Sequence, residues 1–358
     1  MPTDALHMMT RAGGGAVTVS VSDAATEPAW DGFVESRPEA SAYHAWRWRR
    51  IFETTFGHEC AYLAAWDEGR IVGILPLVLF NSRVFGRFGV SLPFVNYGGV
   101  VAETDEAARA LLAAASALAS ERHLSHLELR HLVARFPDLP AKHHKVAMRL
   151  ALPGNADALW QAIDRKVRNQ VRKAEKSGLT AAVGGAELVA EFYAVFARNM
   201  RDLGTPVYPR RLFEDILATF PDAARVFVVR HGATPVAGSL TVKWRQTTEV
   251  PWASSLREHR ASSPNMLLYW TMLQQAMRDG SSTFDFGRST PDEGTFHFKR
   301  QWGAEATPFE WEYVLPAGGK LPDQSPANPK FRLAIALWKR LPVPFATALG
   351  PHIVRSIP

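Results

Sequence analysis

The sequence predicts an α/β protein made of two successive domains, each combining helices with a mixed, largely antiparallel sheet. Three observations lead to this prediction. The 358 residues exceed what one modest core organises and fit two domains of about 150 residues. Helical and strand-like patterns alternate in one cycle before Pro153 and in a second cycle after it. Both cycles contain neighbouring strand patterns joined by short turns, which favours hairpins over a doubly wound parallel sheet.

The first cycle consists of short strand patterns with one long helix between them. A turn at 67–69 joins two apolar, alternating runs into a predicted hairpin. Thr104 precedes an alanine-rich helical pattern and is its expected N-cap. The expected elements are a helix at 42–56, strands at 60–66, 71–80 and 91–101, a helix at 104–122 and a strand at 124–132. The strand at 91–101 is expected to break at 96–99, where two glycines allow the backbone to bend or a ligand to come close.

The second cycle contains more helix and three successive strands. Asn155 or Asp157 can cap its first helix, which Gly178 ends, and Ser263 or Asn265 can open its last one. The expected elements are helices at 155–176, 187–203 and 210–220, strands at 226–230, 236–244 and 248–253, a helix ending at 278, and strands at 283–286 and 310–315.

The two cycles predict domains at 19–152 and 153–315, between a loose N-terminal tail at 1–18 and a C-terminal segment at 316–358. That segment begins as a linker rich in proline and glycine and continues as a basic, amphipathic helical pattern. Two interpretations of it stay open: it lies on a membrane surface, or it packs against the body of the protein. No apolar stretch approaches the roughly 18 residues of a spanning helix.

Composition favours a cytoplasmic protein and excludes several mechanisms. Cys60 is the only cysteine, which rules out an intramolecular disulfide and a cysteine-rich zinc site. The N-terminus lacks the unbroken apolar core of a secretory signal. The net charge of +6 predicts attraction to anions such as nucleic acid, phosphorylated intermediates or an acidic membrane face. The sequence contains no serine-hydrolase, P-loop or dinucleotide-binding motif, and neither a metal nor a resident cofactor is expected.

The strongest charge feature is the run RKVRNQVRKAEK at 165–176. On a helix its apolar residues form one stripe, and Arg165, Arg168 and Arg172 lie along a neighbouring face. These arginines either form a solvated surface or offer an anion platform for substrate phosphates or an RNA backbone.

Two polar connections contain further candidate binding residues. The stretch at 196–213 leads from a helix into a proline-bounded turn rich in hydrogen-bonding groups, although a simple helix connector explains the same residues. The stretch at 250–270 runs from a strand through a polar loop into a helix whose first turn offers N–H groups to an anion. Its aromatic residues also suit a core. The candidates are Arg201, Thr205, Tyr208, Trp252, Asn265 and Tyr269.

The stretch TFDFGRSTPDEGTFHFKRQWGAE at 283–305 sets charged residues among aromatic ones. Alternation along a strand turns Asp285 away from the phenylalanines beside it, and Arg288 and Ser289 follow at the end of the strand. The same period, continued along GTFHFKR, places Lys299 opposite two phenylalanines. A lysine there is either exposed on a strand or holds a phosphate or carbonyl oxygen by its fixed positive charge.

The runs KVRNQVRKAEKSGL, FARNMRDLGTPVYPR, SSPNMLLYW and FDFGRST…GTFHFKRQWGAE together resemble the Fem-type (FemAB-related) family. More narrowly, they resemble its subgroup associated with exosortase and PEP-CTERM exopolysaccharide systems. The resemblance implies two tandem domains of the Gcn5-related N-acyltransferase (GNAT) kind. Family members transfer an amino acid from aminoacyl-tRNA to an amine on a peptidoglycan precursor. A lysine in an F-K-x-x-x-G motif assists them, and residues 298–303 match that motif, which points to Lys299.

The sequence therefore predicts an acyltransferase whose donor is aminoacyl-tRNA or acyl-CoA and whose acceptor is an amino group of a cell-envelope or exopolysaccharide precursor. Lys299 would stabilise the tetrahedral oxyanion, and Asp285 would take the proton of the attacking amine. The substrate would occupy a groove between the domains. The expected substrate-binding residues are Asn96, Tyr97, Arg201, Thr205, Tyr208, Trp252, Asn265, Tyr269, Arg288 and Ser289.

A non-catalytic role is the alternative. The chain would then be a scaffold on a degenerate acyltransferase fold that binds RNA, including tRNA, or a membrane through its basic helix and its C-terminal segment. The expected location is the cytoplasm, with peripheral contact at the inner membrane as a further expectation.

Overall fold

The computed structural model describes residues 17–82, 85–322 and 329–357. The strands are β1 (Thr18–Val21), β2 (Glu59–Asp67), β3 (Arg70–Ser82), β4 (Gly86–Val90), β5 (Val101–Ala102), β6 (Leu127–His131), β7 (Ala141–Lys142), β8 (Val146–Ala151), β9 (Leu179–Gly184), β10 (Ala224–His231), β11 (Thr234–Trp244), β12 (Thr247–Ser255), β13 (Thr283–Ser289), β14 (Glu305–Pro308) and β15 (Glu310–Val314).

The helices alternate with these strands. They are α1 (Glu27–Ser36), α2 (Arg47–Ile51), α3 (Asp105–Glu121), α4 (Ala156–Ala162), α5 (Arg165–Lys176), α6 (Val189–Leu203), α7 (Arg210–Thr219), α8 (Pro264–Arg278), α9 (Gly294–Arg300), α10 (Pro329–Trp338) and α11 (Val343–Val354). No helix in the described ranges is both long and apolar enough to span a membrane.

The first compact unit is built on an eight-stranded sheet of order β1-β2-β3-β4-β6-β15-β7, with β5 beside β3. The predicted hairpin is confirmed as β2 and β3, whose turn places Glu68 and Gly69 at positive φ. Thr104 caps α3 as predicted, since its hydroxyl accepts from the Ala107 N–H at 3.1 Å. Leu111 and other apolar residues of α3 pack into the core on one face of the sheet. Local sequence signals alone specify these elements.

The strand predicted at 91–101 is wrong except for its last residue, Val101, in β5. Leu92 and Phe94 have positive φ values, which break an extended chain. The buried Arg130 side chain holds this bend, because its Nη1 donates to the carbonyls of Leu92 at 3.5 Å and Val95 at 2.8 Å. A tertiary contact therefore overrides the strand pattern.

The two units differ from the predicted domains at both boundaries. Among the described residues, the first unit comprises 17–143, 309–322 and 356–357, and the second comprises 144–308 and 329–355. β8 belongs to the second sheet because it pairs with β13 and β14, although it precedes residue 153. β15 belongs to the first sheet because it pairs with β6 and β7. The pairing partner of a strand is not encoded in its own period.

The second unit is built on a seven-stranded sheet of order β14-β8-β13-β12-β11-β10-β9. All of its pairs are antiparallel except β12 with β13. Phe227 and Val229 of β10 join a core with α5 and α8. Gly238 of β11 lies against Phe192 of α6 instead. Alternation therefore places helices on both faces of this sheet.

The long helix predicted at 155–176 is divided into α4 and α5 at residues 163–164. Asn155 caps α4 as expected, with its Oδ1 accepting from the Ala158 N–H at 2.8 Å. Asp164 then caps α5, and its Oδ1 accepts from the Lys166 N–H at 2.6 Å. A second side-chain cap inside the pattern thus starts a second helix, while Ile163 turns into the core in an extended conformation.

Candidate functional site

Lys299 lies on a helix rather than on the predicted strand. It belongs to α9, where spacing by three places Phe296 and Lys299 on the same buried face. Only 7% of Lys299 is exposed. The prediction of a strand was wrong because an alternating run this short does not distinguish a strand from one helical turn.

The backbone of β13 accepts two hydrogen bonds from the Lys299 ammonium group. Its register with β8 shifts between Asp285 and Arg288. Gly287 has φ +71, and the Asp285 Oδ1 accepts from its N–H at 2.8 Å. This bend brings two carbonyl oxygens within reach of Lys299 Nζ, which donates to Gly287 O at 3.1 Å and to Arg288 O at 2.8 Å. A bulge in the strand therefore fixes the position of the ammonium group.

The environment of Lys299 lowers its pKa from 10.5 to about 8. Burial is the main cause, because removal from water disfavours the charged form, and the nearby Arg288 adds repulsion. Asp285 and Glu249 oppose the shift by attracting the ammonium group. Lys299 is therefore mostly protonated at neutral pH and loses its charge as the pH rises through about 8.

Asp285 is 1% exposed and uses both carboxylate oxygens. Oδ1 accepts from Gly287 N–H, and Oδ2 accepts from Arg149 Nε at 2.9 Å. The role of Asp285 as a general base stays a prediction. Its contacts favour a positioning role, since they fix the bend that holds Lys299 and leave the carboxylate in a charged pair.

Lys145 and Arg149 are site residues that the sequence analysis missed. Lys145 Nζ lies 2.5 Å from Thr290 Oγ1, beside the end of β13. Burial and the nearby Arg288 lower the pKa of Lys145, and Glu293 opposes this shift. Lys145 and Arg149 are four residues apart, which places both side chains on one face of an extended segment. That spacing was the available signal, but no strand was predicted at 146–151. We call the group of Lys145, Arg149, Asp285, Arg288 and Lys299 the Lys299 site.

Strands β12 and β13 diverge beside the Lys299 site. Their parallel pairing covers only residues 247–249 and 283–285 in the described chain. β12 then continues along β11, with Val250 and Pro251 in an irregular register opposite Thr241. Beyond Asp285 the facing edges of the two strands no longer pair with each other. Such edges can bind an extended segment that carries amide groups.

The predicted substrate-binding residues of the second unit fall into two groups. Tyr269 packs in the core between α8, β13 and α9, because its ring stacks on Phe286 at 5.5 Å and meets Phe298 edge-on at 4.9 Å. Burial raises the pKa of Tyr269. Tyr208 and Trp252 form a second group on the α6 and α7 face, with their ring centroids 6.4 Å apart.

The remaining candidates of this unit lie at the ends of helices or strands. Arg201 donates from Nε to Asp202 at 2.7 Å, and Thr205 is exposed beyond the left-handed cap of α6. Asn265 is half-buried in the first turn of α8. Ser263 precedes that turn at φ +58, and its hydroxyl does not cap the helix as expected. Ser289 is buried at the end of β13.

The three arginines of α5 lie beside its apolar stripe, as predicted. Arg168 donates to the Trp160 carbonyl at 3.2 Å, and the Arg172 guanidinium lies over the Trp160 ring at 5.4 Å. Arg165 is exposed. Two of the three therefore stabilise the junction between α4 and α5, and their role in anion binding stays a prediction.

Asn96 and Tyr97 are buried in the first unit. The glycines after them do not leave space for a ligand, because a Cβ at Gly99 would lie 1.9 Å from the His131 ring. The Tyr97 ring lies 5.4 Å from that of Phe309. The prediction that Asn96 and Tyr97 bind substrate stays untested, and their surroundings are those of a packed core.

Comparison with known proteins agrees with this architecture. Residues 162–300 match the family model of an acetyltransferase (GNAT) domain. No curated protein matches the sequence. The solved structure of FemX has a TM-score of 0.61 and 17% sequence identity, over 80% of this chain and 96% of that chain.

Two other solved structures share the fold. The C-terminal domain of a putative lysylphosphatidylglycerol synthetase from Agrobacterium fabrum has a TM-score of 0.56 and 12% identity, over 83% of this chain and 94% of that chain. A tandem GNAT protein from the clavulanic acid biosynthesis pathway has a TM-score of 0.53 and 13% identity, over 86% and 100%. This chain therefore has the fold of two tandem GNAT-like domains, and its second unit contains the segment that matches a GNAT acetyltransferase domain.

Proposed function

We propose that this protein is an N-acyl- or aminoacyltransferase that acylates an amino group of a cell-envelope or exopolysaccharide precursor. The observation that carries the proposal is the buried Lys299 ammonium group, held by two carbonyls where β12 and β13 diverge. It lies within the segment that matches a GNAT acetyltransferase domain. The likeness to FemX and to a putative lysylphosphatidylglycerol synthetase supports the choice of a cell-envelope acceptor. An association with exosortase and PEP-CTERM systems stays a prediction.

In the proposed reaction the acceptor amine attacks the carbonyl carbon of the donor ester or thioester. A C–N bond forms and the carbonyl oxygen becomes an oxyanion. An ammonium group has three N–H donors, and Gly287 O and Arg288 O account for two of those of Lys299. The third can donate to the oxyanion. The intermediate then expels the hydroxyl of tRNA or the thiol of CoA, and the proton of the attacking amine passes to the leaving group or to solvent.

The other cations of the Lys299 site suit a substrate with an anionic group. Lys145 and Arg288 lie close enough for their charges to repel each other. A phosphate or diphosphate on the precursor would relieve this repulsion and orient the amine. The site therefore offers a position for an anionic group of the substrate.

Both donor classes fit specific features. The divergent edges of β12 and β13 suit an extended, amide-bearing arm such as that of acyl-CoA. The basic face of α5 suits the backbone of aminoacyl-tRNA. We therefore propose one acyl-transfer site and test the two donors against each other.

The test is turnover with each donor in the presence of amine-bearing nucleotide sugars and peptidoglycan precursors, with acylated product detected by mass spectrometry. Native mass spectrometry of freshly isolated protein would first reveal a co-purified ligand. We expect Lys299→Met to lower turnover by about 10²- to 10³-fold with little change in melting temperature. The matched control is Lys243→Met, which removes another half-buried lysine of the same unit, one bonded to the Asp279 carbonyl.

Full turnover in Lys299→Met would refute the assigned role. A protein that retains tRNA with a steep dependence on salt, forms no product with either donor and ignores Lys299 would instead be the non-catalytic scaffold.

A further inference from the structure

Helices α10 and α11 have an inner face that packs against the end of α6 and the connection after it. A Cβ at Gly204 would lie 2.6 Å from Ile335 Cγ2, and one at Gly350 would lie 2.7 Å from Val207 N. Arg201 Nη1 also donates to the Leu341 carbonyl at 2.7 Å. The C-terminal segment therefore packs against the second unit, as one of the two interpretations of the sequence expected.

The outer face of the two helices presents large apolar side chains to solvent. On α11, Ala346, Gly350 and Val354 are buried at a spacing of four. The residue before each of them is a large apolar one that is exposed. Among the described residues, five of the ten exposed large apolar side chains lie on these two helices, with 41% to 71% of each exposed. They are Leu333, Leu337, Phe345, Leu349 and Ile353, and together they form what we call the C-terminal apolar surface.

Charge distinguishes this surface from an ordinary apolar patch. Residues 324–358 contain five Lys or Arg residues and neither Asp nor Glu. The described cations are exposed, and they are Arg332, Lys339, Arg340 and Arg355. Apolar side chains beside exposed cations, with no acid among them, match the chemistry of an anionic lipid surface, where phosphates lie above acyl chains.

We propose that the C-terminal apolar surface docks on a bilayer that contains anionic lipid. No described helix is long and apolar enough to span the bilayer, so contact would be confined to the interface. A second copy of the chain is a poorer occupant, because a two-fold interface would bring the same cations together without an acid to pair them. This inference does not depend on acyl transfer at the Lys299 site.

The test is co-sedimentation of the full chain with vesicles of phosphatidylcholine, either alone or with phosphatidylglycerol. We expect binding only to the vesicles with phosphatidylglycerol, and a loss of binding as salt is added. Phe345→Gln with Leu349→Gln should weaken binding by about tenfold or more. Their matched control is Val133→Gln with Val183→Gln, two exposed apolar residues elsewhere.

Two double variants that reverse charge test how much the cations of this segment contribute to vesicle binding. Arg332→Glu with Arg340→Glu should also weaken binding by about tenfold or more, whereas Arg50→Glu with Arg109→Glu changes the net charge equally and should not. Lys299→Met should bind vesicles like the natural protein, which keeps this result separate from the proposed function. Equal binding by all variants, or no binding by the full chain, would overturn the proposal. A dimer in light scattering that Phe345→Gln dissociates, without vesicle binding, would assign the surface to self-association.

Discussion

At the scale of single residues, Asp285 and Lys299 divide the work of the proposed site. Lys299 supplies the charge, and its carbonyl partners fix where that charge lies. Asp285 holds the backbone bend and attracts the ammonium group, so it raises the pKa of Lys299 against the effect of burial. An oxyanion-stabilising lysine must be protonated, and activity should therefore fall as pH rises through about 8.

Replacing Asp285 with Asn tests this division. The Asn oxygen can still accept from the Gly287 N–H, but it no longer attracts the ammonium group. The pKa of Lys299 should then fall below about 8, so the alkaline loss of kcat should begin at lower pH. At pH 6 to 7, kcat should stay within about tenfold of the natural protein. The measurement is the pH profile of kcat.

The control for this profile is Asp279→Asn, which removes a carboxylate bonded to Arg225 outside the Lys299 site. Asp279→Asn should not change the pH at which kcat begins to fall on the alkaline side. If Asp285 is instead the general base, Asp285→Asn should lower kcat by about 10²- to 10⁴-fold at every pH.

At the scale of elements, the bulge in β13 and the helix α9 create the site together. Neither is useful alone, since the bulge offers carbonyls and the helix offers the cation. Gly287 is the position in this arrangement at which substitution should be least tolerated, because its φ of +71 favours glycine.

Gly287→Ala should lower the free energy of unfolding by about 1–2 kcal/mol and should also lower turnover, because relaxation of the bend moves both carbonyls away from Lys299. Gly280→Ala is the matched control. Gly280 has φ +78 and open space around an added Cβ, so it carries a similar backbone cost at a distance from Lys299. Denaturant unfolding and turnover of both variants separate strain from function. Equal turnover in the two variants would contradict this role for the bulge.

The elements that the sequence predicted are those with complete local signals. Thr104 before α3 and Gly204 after α6 mark helix ends by their own chemistry. The bend at 91–100 depends on Arg130, which is distant in sequence. β8 was missed because its pairing partners come more than 130 residues later, at 283–289 and 305–308. The motif around Lys299 was found by resemblance. Lys145 and Arg149 could be assigned to the site only once the pairing of β8 with β13 was known.

At the scale of the whole molecule, the chain returns to its first unit after building most of the second. β15 lies between β6 and β7 in the first sheet. The buried Glu312 carboxylate on β15 accepts from the N–H groups of Arg135 at 3.0 Å and Phe136 at 2.7 Å. Its other oxygen lies 2.7 Å from His131 Nδ1. One carboxylate on β15 thus accepts from two backbone N–H groups of the first unit and lies against the buried His131 ring.

Glu312→Ala should therefore destabilise the first unit by about 2–5 kcal/mol, because these donors lose a buried acceptor. Hydrogen exchange measured by mass spectrometry should show lost protection in β6, β7 and β15, with the strands β10 to β12 unaffected. Glu310→Ala is the control on the same strand, since it removes only the more exposed pair with His143. Uniform loss of protection in both units would contradict the assignment of β15 to the first unit.

The late arrival of β15 also has a consequence for synthesis. When the first 143 residues have left the ribosome, the gap between β6 and β7 is still empty, and residues 144–308 must be translated before the missing strand exists. At usual translation speeds this wait is on the order of ten to thirty seconds. During it the nascent chain exposes unpaired strand edges, which makes this interval the one in which the protein would depend most on a chaperone.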